Sequence, residues 1–219
     1  MKRNWDQYFI SPEYAEKEAE LANLKPEDVV LEIGAGSGVL TRALSKRCKV
    51  IAVEPDSSLA AGIELRNVLV INKSFFDLPP IQYSKVVSNP PYSQSQKILV
   101  SVLQKPFDLA VFCFAREFAA KLSSYSKLGK LATHFSLVSF QNVPASAFVP
   151  HAVSSRIVVI RQRHVLEKDY WLFLSRLWRS RNRNVAKLVK NSGAFASRKL
   201  SSLTSEELYE LWKKSTDPL

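Results

Sequence analysis

Four consecutive residues, Asn89-Pro90-Pro91-Tyr92, carry the side chains with the clearest chemical potential in this sequence. The Asn89 side-chain carbonyl and the Pro90 main-chain carbonyl are hydrogen-bond acceptors, and the prolines restrict the backbone angles that aim them. Two acceptors that hold the N–H groups of a planar amine favour a pyramidal nitrogen with an available lone pair, and Tyr92 adds a face on which a base can stack. The turn therefore predicts a site that positions an exocyclic amine for attack on an electrophile. The alternative is a Pro-Pro pair that only ends a strand.

A second pattern, a turn with glycine at positions 34, 36 and 38, follows a short apolar strand and precedes a helix. Glycines let a backbone approach a ligand closely, and a helix N-terminus favours a polar or anionic group. Glu54 ends the next apolar segment, 16 residues beyond Gly38, where a carboxylate can accept hydrogen bonds from ribose hydroxyls. The spacing differs from that of dehydrogenases, and no Walker-type lysine follows. The pattern predicts a ligand that carries a ribose; the alternative is a tight turn without a ligand.

Alternating strands and helices must position these two turns. The predicted strands span residues 29–33, 49–54, 68–72, 85–89 and 108–114. Nearly continuous apolar strands with helical patterns between several of them predict a parallel sheet with helices on both faces. Both turns then lie at the carboxyl ends of strands, where open sheets of this kind bind ligands.

The order changes in the second half of the chain. Residues 133–140 and 155–160 predict two strands, joined by the irregular, proline-containing segment 143–150. Two strands without a helix between them favour an antiparallel hairpin at one sheet edge. The predicted fold class is therefore α/β: a Rossmann-like, seven-stranded, mostly parallel sheet with an antiparallel edge hairpin, plus a small C-terminal helical domain. We place the boundary after Arg163, which gives domains 1–163 and 164–219.

The second predicted domain is helical and basic. Apolar residues recur every three to four positions over residues 169–186 and predict an amphipathic helix. Residues 203–212 predict another, because Thr204 and Glu207 have the spacing of a capping box.

The net charge of +11 is concentrated in this region, since nine of these charges fall between Arg161 and Lys199, where eleven cations accompany two acids. Such a surface attracts polyanions, and we interpret it as a nucleic-acid contact. The candidate contact residues are Arg176, Arg179, Arg181, Arg183 and Lys187. The alternatives are an ordinary solvated helix face and an anionic membrane surface.

Composition excludes several other classes of protein. A chain with 46% hydrophobic residues is not disordered, and no apolar window reaches the length of a transmembrane helix. The first residues lack the apolar run of a secretory signal. Two distant cysteines and three scattered histidines predict neither a disulfide scaffold nor a metal site. We expect a cytoplasmic protein without a membrane partner.

Segment 30–38, together with Glu54, resembles the first two motifs of class I S-adenosylmethionine-dependent methyltransferases. More of the chain is similar to the ribosomal small-subunit rRNA adenine N6-dimethyltransferases. The segments that carry this second resemblance are 7–10, 86–92, 116–122, 129–131, 143–150, 171–188 and 203–212.

The resemblance implies S-adenosylmethionine as the cofactor and assigns the residues of the site. The implied cofactor-binding residues are Gln7, Phe9, Glu32, Gly34, Gly36, Gly38, Glu54, Pro55, Ser74, Phe75 and Asn89. The implied catalytic residues are Asn89, Pro90, Tyr92 and Phe148, with Phe148 beside the target adenine. Ser74 stands where the family carries an aspartate, and Pro90 where it usually carries leucine or isoleucine.

The implied activity is transfer of methyl groups to N6 of adenines in small-subunit rRNA, two on each of two adjacent adenosines, during ribosome biogenesis. The implied partner is the immature 30S-type subunit, and we expect a monomer. Two alternatives stay open. One is N5-methylation of a protein glutamine, because release-factor methyltransferases carry Asn-Pro-Pro-Tyr after a similar glycine turn. The other is a nucleic-acid-binding ribosome-assembly factor with weak or lost catalysis. Ser74 favours this second alternative, because an uncharged serine stands where the family carries an aspartate.

Overall fold

The computed structural model describes residues 9–149 and 154–215 of the chain. These residues form nine β-strands and eight α-helices, with short 3-10 turns between them. The strands are β1 (Phe9–Ile10), β2 (Val29–Ile33), β3 (Lys49–Val53), β4 (Val68–Ile71), β5 (Lys85–Ser88), β6 (Leu109–Ala115), β7 (Ser136–Val143), β8 (Phe148–Val149) and β9 (Ser155–Gln162). The helices are α1 (Pro12–Leu21), α2 (Val39–Ser45), α3 (Ser57–Ala61), α4 (Ser95–Leu103), α5 (Arg116–Lys121), α6 (Lys127–Phe135), α7 (Lys168–Leu177) and α8 (Ser205–Lys214).

Seven of the strands form one sheet in the order β4-β3-β2-β5-β6-β9-β7. The first five of these are parallel, whereas β9 runs antiparallel to both β6 and β7. The strand order reverses between β2 and β5, and such a reversal opens a crevice at the carboxyl ends of the strands. The predicted fold class is confirmed, including the antiparallel hairpin at the sheet edge.

Helices cover both faces of the sheet, so alternate residues of each strand enter different apolar clusters. Leu31 and Val86 belong to the cluster beneath α4, α6, α7 and α8, whereas Val30 and Val87 belong to the cluster beneath α1 and α2. All four side chains are completely buried. Strands that are buried on both faces need apolar residues at every position, which explains the continuous apolar runs in the sequence.

The predicted strand 133–140 is wrong at its start, because residues 133–135 belong to α6. Ser126 begins this helix, since its Oγ accepts a hydrogen bond from the Gly129 backbone N–H at 3.1 Å. The helix then buries Leu131 and Phe135 on one face. The described part of segment 143–150 is more regular than predicted. Val143 ends β7, Ala145–Ala147 form a 3-10 turn, and Phe148–Val149 form β8, which pairs with β1.

The predicted helix 169–186 is too long, because α7 ends at Leu177 and is followed by single 3-10 turns. The residues after it are mainly arginine, serine and asparagine, which cannot continue a buried apolar face. The second predicted helix is confirmed as α8, and its capping box is complete. Thr204 Oγ1 accepts from the Glu207 N–H at 3.1 Å, and Glu207 Oε2 accepts from the Thr204 N–H at 2.8 Å.

The C-terminal helices share an apolar core with the sheet. Tyr170 and Leu174 of α7 and Leu208 of α8 are completely buried in the same cluster as Phe112 and Phe135. The division into domains 1–163 and 164–219 stays a prediction. Among the described residues, no helix is both long enough and apolar enough to cross a bilayer.

Candidate active site

The glycine turn, Glu54 and the Asn-Pro-Pro-Tyr turn follow the carboxyl ends of three neighbouring parallel strands, at one edge of the sheet. Gly34, Glu54 and Asn89 each come directly after the last residue of β2, β3 and β5. Ser88 Oγ donates a hydrogen bond to the Ile33 carbonyl at 2.6 Å, which fixes the end of β5 against the end of β2. The structure thus brings together the glycine turn, Glu54 and the Asn-Pro-Pro-Tyr turn.

The glycine turn needs its glycines for their backbone conformation. Gly34, Gly36 and Gly38 have φ angles of 77°, 57° and 78°, in the left-handed region that side chains disfavour. The Gly34 N–H donates to the Val53 carbonyl at 2.8 Å, which joins the turn to β3. A Cβ added at Gly34 would be 3.5 Å from Pro91 Cδ, an ordinary van der Waals distance. The glycine turn therefore lies beside the Asn-Pro-Pro-Tyr turn.

Glu54 is a buried carboxylate with capacity for further hydrogen bonds. Its Oε2 accepts from the Gly36 N–H at 2.8 Å and its Oε1 from the Asp56 N–H at 2.9 Å. Because each carboxylate oxygen can accept two hydrogen bonds, each of these oxygens keeps one acceptor position. This chemistry fits the two hydroxyls of a ribose, and cofactor binding by Glu54 stays a prediction. Pro55 follows at an exposed position.

Glu32 lies one residue before the end of β2 and is almost completely buried. Burial raises the pKa of Glu32 to about 8, and the negative charge of Glu54 acts in the same direction. At neutral pH the Glu32 carboxyl group is therefore mainly protonated. Its Oε2 has no hydrogen-bond partner among the described residues. An unpartnered buried oxygen next to the glycine turn fits a polar ligand group, and cofactor binding by Glu32 stays a prediction.

The remaining predicted cofactor residues lie at three places. Ser74 begins the 3-10 turn Phe75–Asp77, because its Oγ accepts from the Phe76 N–H at 3.3 Å, and Phe75 is half-buried. Phe9 is in β1, opposite Val149. Gln7 lies outside the described residues. The cofactor contacts of these residues stay predictions.

The Asn-Pro-Pro-Tyr turn combines buried and accessible groups. Pro90 is buried, whereas Asn89 and Tyr92 are half-buried. The Gln94 N–H donates to the Pro91 carbonyl at 2.9 Å, so the chain turns into α4 directly after the motif. The Tyr92 hydroxyl lies 2.7 Å from Ser155 Oγ. The sequence analysis missed this pair, because Ser155 belongs to no motif; the prediction placed it only at the start of the strand 155–160.

Phe148 is placed differently from the other predicted catalytic residues. Its side chain is completely buried and belongs to the apolar cluster that also contains Ile10 and Ala147. Its backbone pairs with Ile10 across β1 and β8. The predicted contact between Phe148 and a target adenine stays a prediction.

The five predicted nucleic-acid contacts form an exposed basic surface at and after the end of α7. This basic surface consists of Arg176, Arg179, Arg181, Arg183 and Lys187, all exposed. Among the described residues, no carboxylate forms an ion pair with any of the five. The pKa of Lys127, on α6, is lowered by burial and also by the positive charge of Arg179. Cationic charge thus accumulates where α6 and the end of α7 meet.

Residues 2–211 of the chain match the family described as ribosomal RNA adenine dimethylase. A probable ribosomal RNA small subunit methyltransferase A of Methanosarcina acetivorans is 31% identical over an alignment of 241 positions. This alignment covers 93% of this chain and 90% of that protein. The crystal structure of a dimethyladenosine transferase from Plasmodium falciparum has a TM-score of 0.80 at 21% identity, and the match covers 93% of this chain and 95% of that one. The structure of the 23S rRNA methyltransferase ErmE has a TM-score of 0.69 at 23% identity, covering 95% and 100%.

Proposed function

Because the chain belongs to the ribosomal RNA adenine dimethylase family, we propose that its substrate is the small-subunit rRNA of an immature 30S-type ribosomal subunit. The protein is an S-adenosylmethionine-dependent rRNA adenine dimethyltransferase. We propose that it acts as a monomer and places two methyl groups on N6 of each of two adjacent adenosines. The curated relative that matches 93% of the chain bears the name of a small-subunit methyltransferase, which supports this substrate.

The observation that carries the proposal is that the glycine turn lies beside the Asn-Pro-Pro-Tyr turn. Ser88 Oγ donates to the Ile33 carbonyl at 2.6 Å, and a Cβ added at Gly34 would be 3.5 Å from Pro91 Cδ. Glu54 and the glycine turn fit the ribose and the backbone-contacting part of the cofactor, and the amine-binding acceptors lie directly beside them. Bound there, S-adenosylmethionine supplies a methyl group on a positively charged sulfur. Adjacent sites of this kind provide the proximity and orientation that a transfer between two bound molecules requires.

Asn89 and Pro90 position the adenine amino group, which is the nucleophile of the reaction. Their two carbonyl oxygens accept the two N–H groups of the adenine amine, which favours a pyramidal nitrogen with an available lone pair. Tyr92 offers a half-buried ring on which the extruded base stacks. The proton becomes acidic once the nitrogen is alkylated, so no strong base is needed. One N–H remains after the first transfer and can still be held for the second.

We propose that residues 164–219 form the rRNA-contacting part and residues 1–163 the catalytic part. The five residues of the basic surface are exposed and have no carboxylate partner among the described residues, so their charge is available to RNA phosphates. Phosphate contacts give affinity that decreases with salt and carries little sequence information.

Asn89→Ala tests the catalytic assignment. Undermethylated small subunits are incubated with labelled cofactor, and the modified adenines are mapped. We expect the variant to lose about 10²- to 10³-fold in methylation rate, as for the removal of one positioned polar group from an active site, and to keep its affinity for RNA. Turnover at the wild-type rate by Asn89→Ala would overturn the assignment. Methylation by the wild type of large-subunit rRNA or a protein glutamine instead would overturn the substrate.

A further inference from the structure

We propose that Ser155 is a positioning residue for the target base, because its hydroxyl group fixes the orientation of the Tyr92 ring. This inference rests on the proposed role of Tyr92 as the stacking face for the adenine. The two side chains are 63 positions apart in the sequence, and their oxygens lie 2.7 Å apart in the structure.

Ser155 is held rigidly at the sheet. It is the first residue of β9, and only 1% of its surface is exposed. It lies opposite Ala115 of β6 on one side and Val143 of β7 on the other. The preceding Ser154 carbonyl accepts a hydrogen bond from the Arg116 N–H at 2.9 Å. The Ser155 hydroxyl therefore starts from a backbone that is fixed on both sides.

Tyr92 belongs to a less constrained element. It lies in a three-residue 3-10 turn, Tyr92–Gln94, and its side chain is half-buried. A ring on such a turn can rotate about its side-chain torsions unless its far end is held. The hydrogen bond to Ser155 Oγ, in which either oxygen can donate, holds that far end. The rigidity of β9 is thus transmitted to the face on which the base stacks.

Ser155 contacts the Asn-Pro-Pro-Tyr turn through its side chain. A hydroxyl group suits this position because it can donate to or accept from the Tyr92 hydroxyl. Alanine there would leave the Tyr92 hydroxyl without this bond while keeping the strand.

A double-mutant cycle with Ser155→Ala and Tyr92→Phe tests the inference. Each variant removes one side of the same bond, and Tyr92→Phe keeps the aromatic face. We expect each single variant to lower kcat about three- to tenfold, the range for one lost hydrogen bond. The KM for rRNA and the calorimetric Kd for S-adenosylmethionine should stay unchanged. The double variant should be no slower than either single variant, because both single changes remove the same bond between Tyr92 and Ser155. Ser155→Thr, which keeps a hydroxyl group, should restore most of kcat.

Ser136→Ala is the matched control. Ser136 is also a buried serine of this sheet, but its hydroxyl group donates to the Ala132 carbonyl at 2.9 Å. We expect a similar thermal destabilisation and an unchanged kcat. Equal kcat values for Ser155→Ala and Ser136→Ala, or additive losses in the double variant, would overturn the inference. If Ser155→Ala fails to fold, the other two variants still test the inference. Tyr92→Phe must then slow turnover, and Ser155→Thr must not.

Failure of the proposed substrate is a different result. The wild type would then leave small-subunit particles unmodified and methylate another rRNA. The cycle is in that case measured on the rRNA that the wild type modifies, and the same kcat pattern decides the role of Ser155.

Discussion

Glu18 lies in α1 with its carboxyl group completely buried against the sheet. Neither of its oxygens has a hydrogen-bond partner among the described residues. Burial raises the pKa of Glu18 well above its usual value, and the nearby Glu32 adds to the shift. A carboxyl group in such surroundings is stable only in its neutral form, since an unpaired buried charge is costly.

The pH dependence of stability follows from this shift. An unfolded glutamate has a pKa near 4.5. Above that pH, and up to the raised native pKa, the unfolded chain binds fewer protons than the folded chain, so the free energy of unfolding decreases as the pH rises. Glu18→Gln removes this dependence because glutamine stays neutral. We expect the two proteins to have similar stability at pH 5 and the variant to be more stable than the wild type at pH 8.5.

Urea unfolding at the two pH values measures this difference. Glu20→Gln is the control, because Glu20 is exposed on the same helix; it should leave the pH dependence of the wild type unchanged. Parallel pH curves for Glu18→Gln and the wild type would show that the Glu18 carboxyl group is not buried as described.

At the residue scale, the sequence predicted the groups that belong to motifs and missed the isolated ones. Asn89, Glu54 and Gly34 were found because their spacing follows the ends of apolar strands, and the structure brings them together. Glu18 and Ser155 have ordinary neighbours in the sequence. Their surroundings are created by elements distant in the chain, so no local pattern could indicate them.

At the scale of the elements, Gly129 marks a close approach between α6 and the turn that follows α5. A Cβ at this position would lie 1.8 Å from the Ser124 carbonyl oxygen and 3.0 Å from the Lys121 oxygen. Ser126 Oγ donates to the same Lys121 oxygen at 2.7 Å, which holds the turn in place. Because the obstacle is backbone, it cannot rotate away as a side chain would.

Gly129→Ala should therefore destabilise the protein strongly. We expect the free energy of unfolding to fall by about 3 kcal/mol or more, the upper range for overpacking. Gly62→Ala is the control: the added Cβ would lie 3.4 Å from the nearest atom, the Leu59 oxygen, and we expect a change within about 1 kcal/mol. Urea unfolding compares the two variants, and equal stabilities would contradict the close approach.

The central strands were predicted within one residue, because buried parallel strands are short apolar runs that end at glycine, asparagine or an acid. Residues 133–135 and 178–186 were assigned wrongly, since helix ends depend on caps and on available core surface. Helix α1 has no counterpart among the predicted elements, because several charged residues interrupt its apolar side. The pairing of β1 with β8 joins two-residue strands, which are too short to leave a pattern.

At the scale of the whole molecule, the net charge of +11 and the exposed basic surface predict salt-dependent binding to rRNA. We expect Arg181→Ala/Arg183→Ala to weaken rRNA binding and to reduce the slope of log affinity against log salt concentration by about one to two. The variant should keep its kcat at saturating rRNA. Filter binding at several salt concentrations measures the slope.

Lys49→Ala/Lys105→Ala is the matched control, because it removes the same charge. Both lysines are exposed: Lys49 is the first residue of β3, and Lys105 lies in the connection between α4 and β6, so neither belongs to the basic surface. We expect its salt slope to stay close to that of the wild type. An equal reduction for both pairs would mean that total charge, rather than the basic surface, determines binding.

The apolar cluster that includes Tyr170, Leu174, Leu208 and Phe135 runs without a break from the sheet into α7 and α8. A swivel between the basic surface and the catalytic turn would expose these side chains to water, at a cost of roughly 25 cal/mol for each Å² of apolar area. We therefore expect the shared core to hold the basic surface and the catalytic turn at a fixed separation. With the roles proposed above for Tyr92 and the basic surface, this separation selects which adenine of the folded RNA reaches the Tyr92 ring.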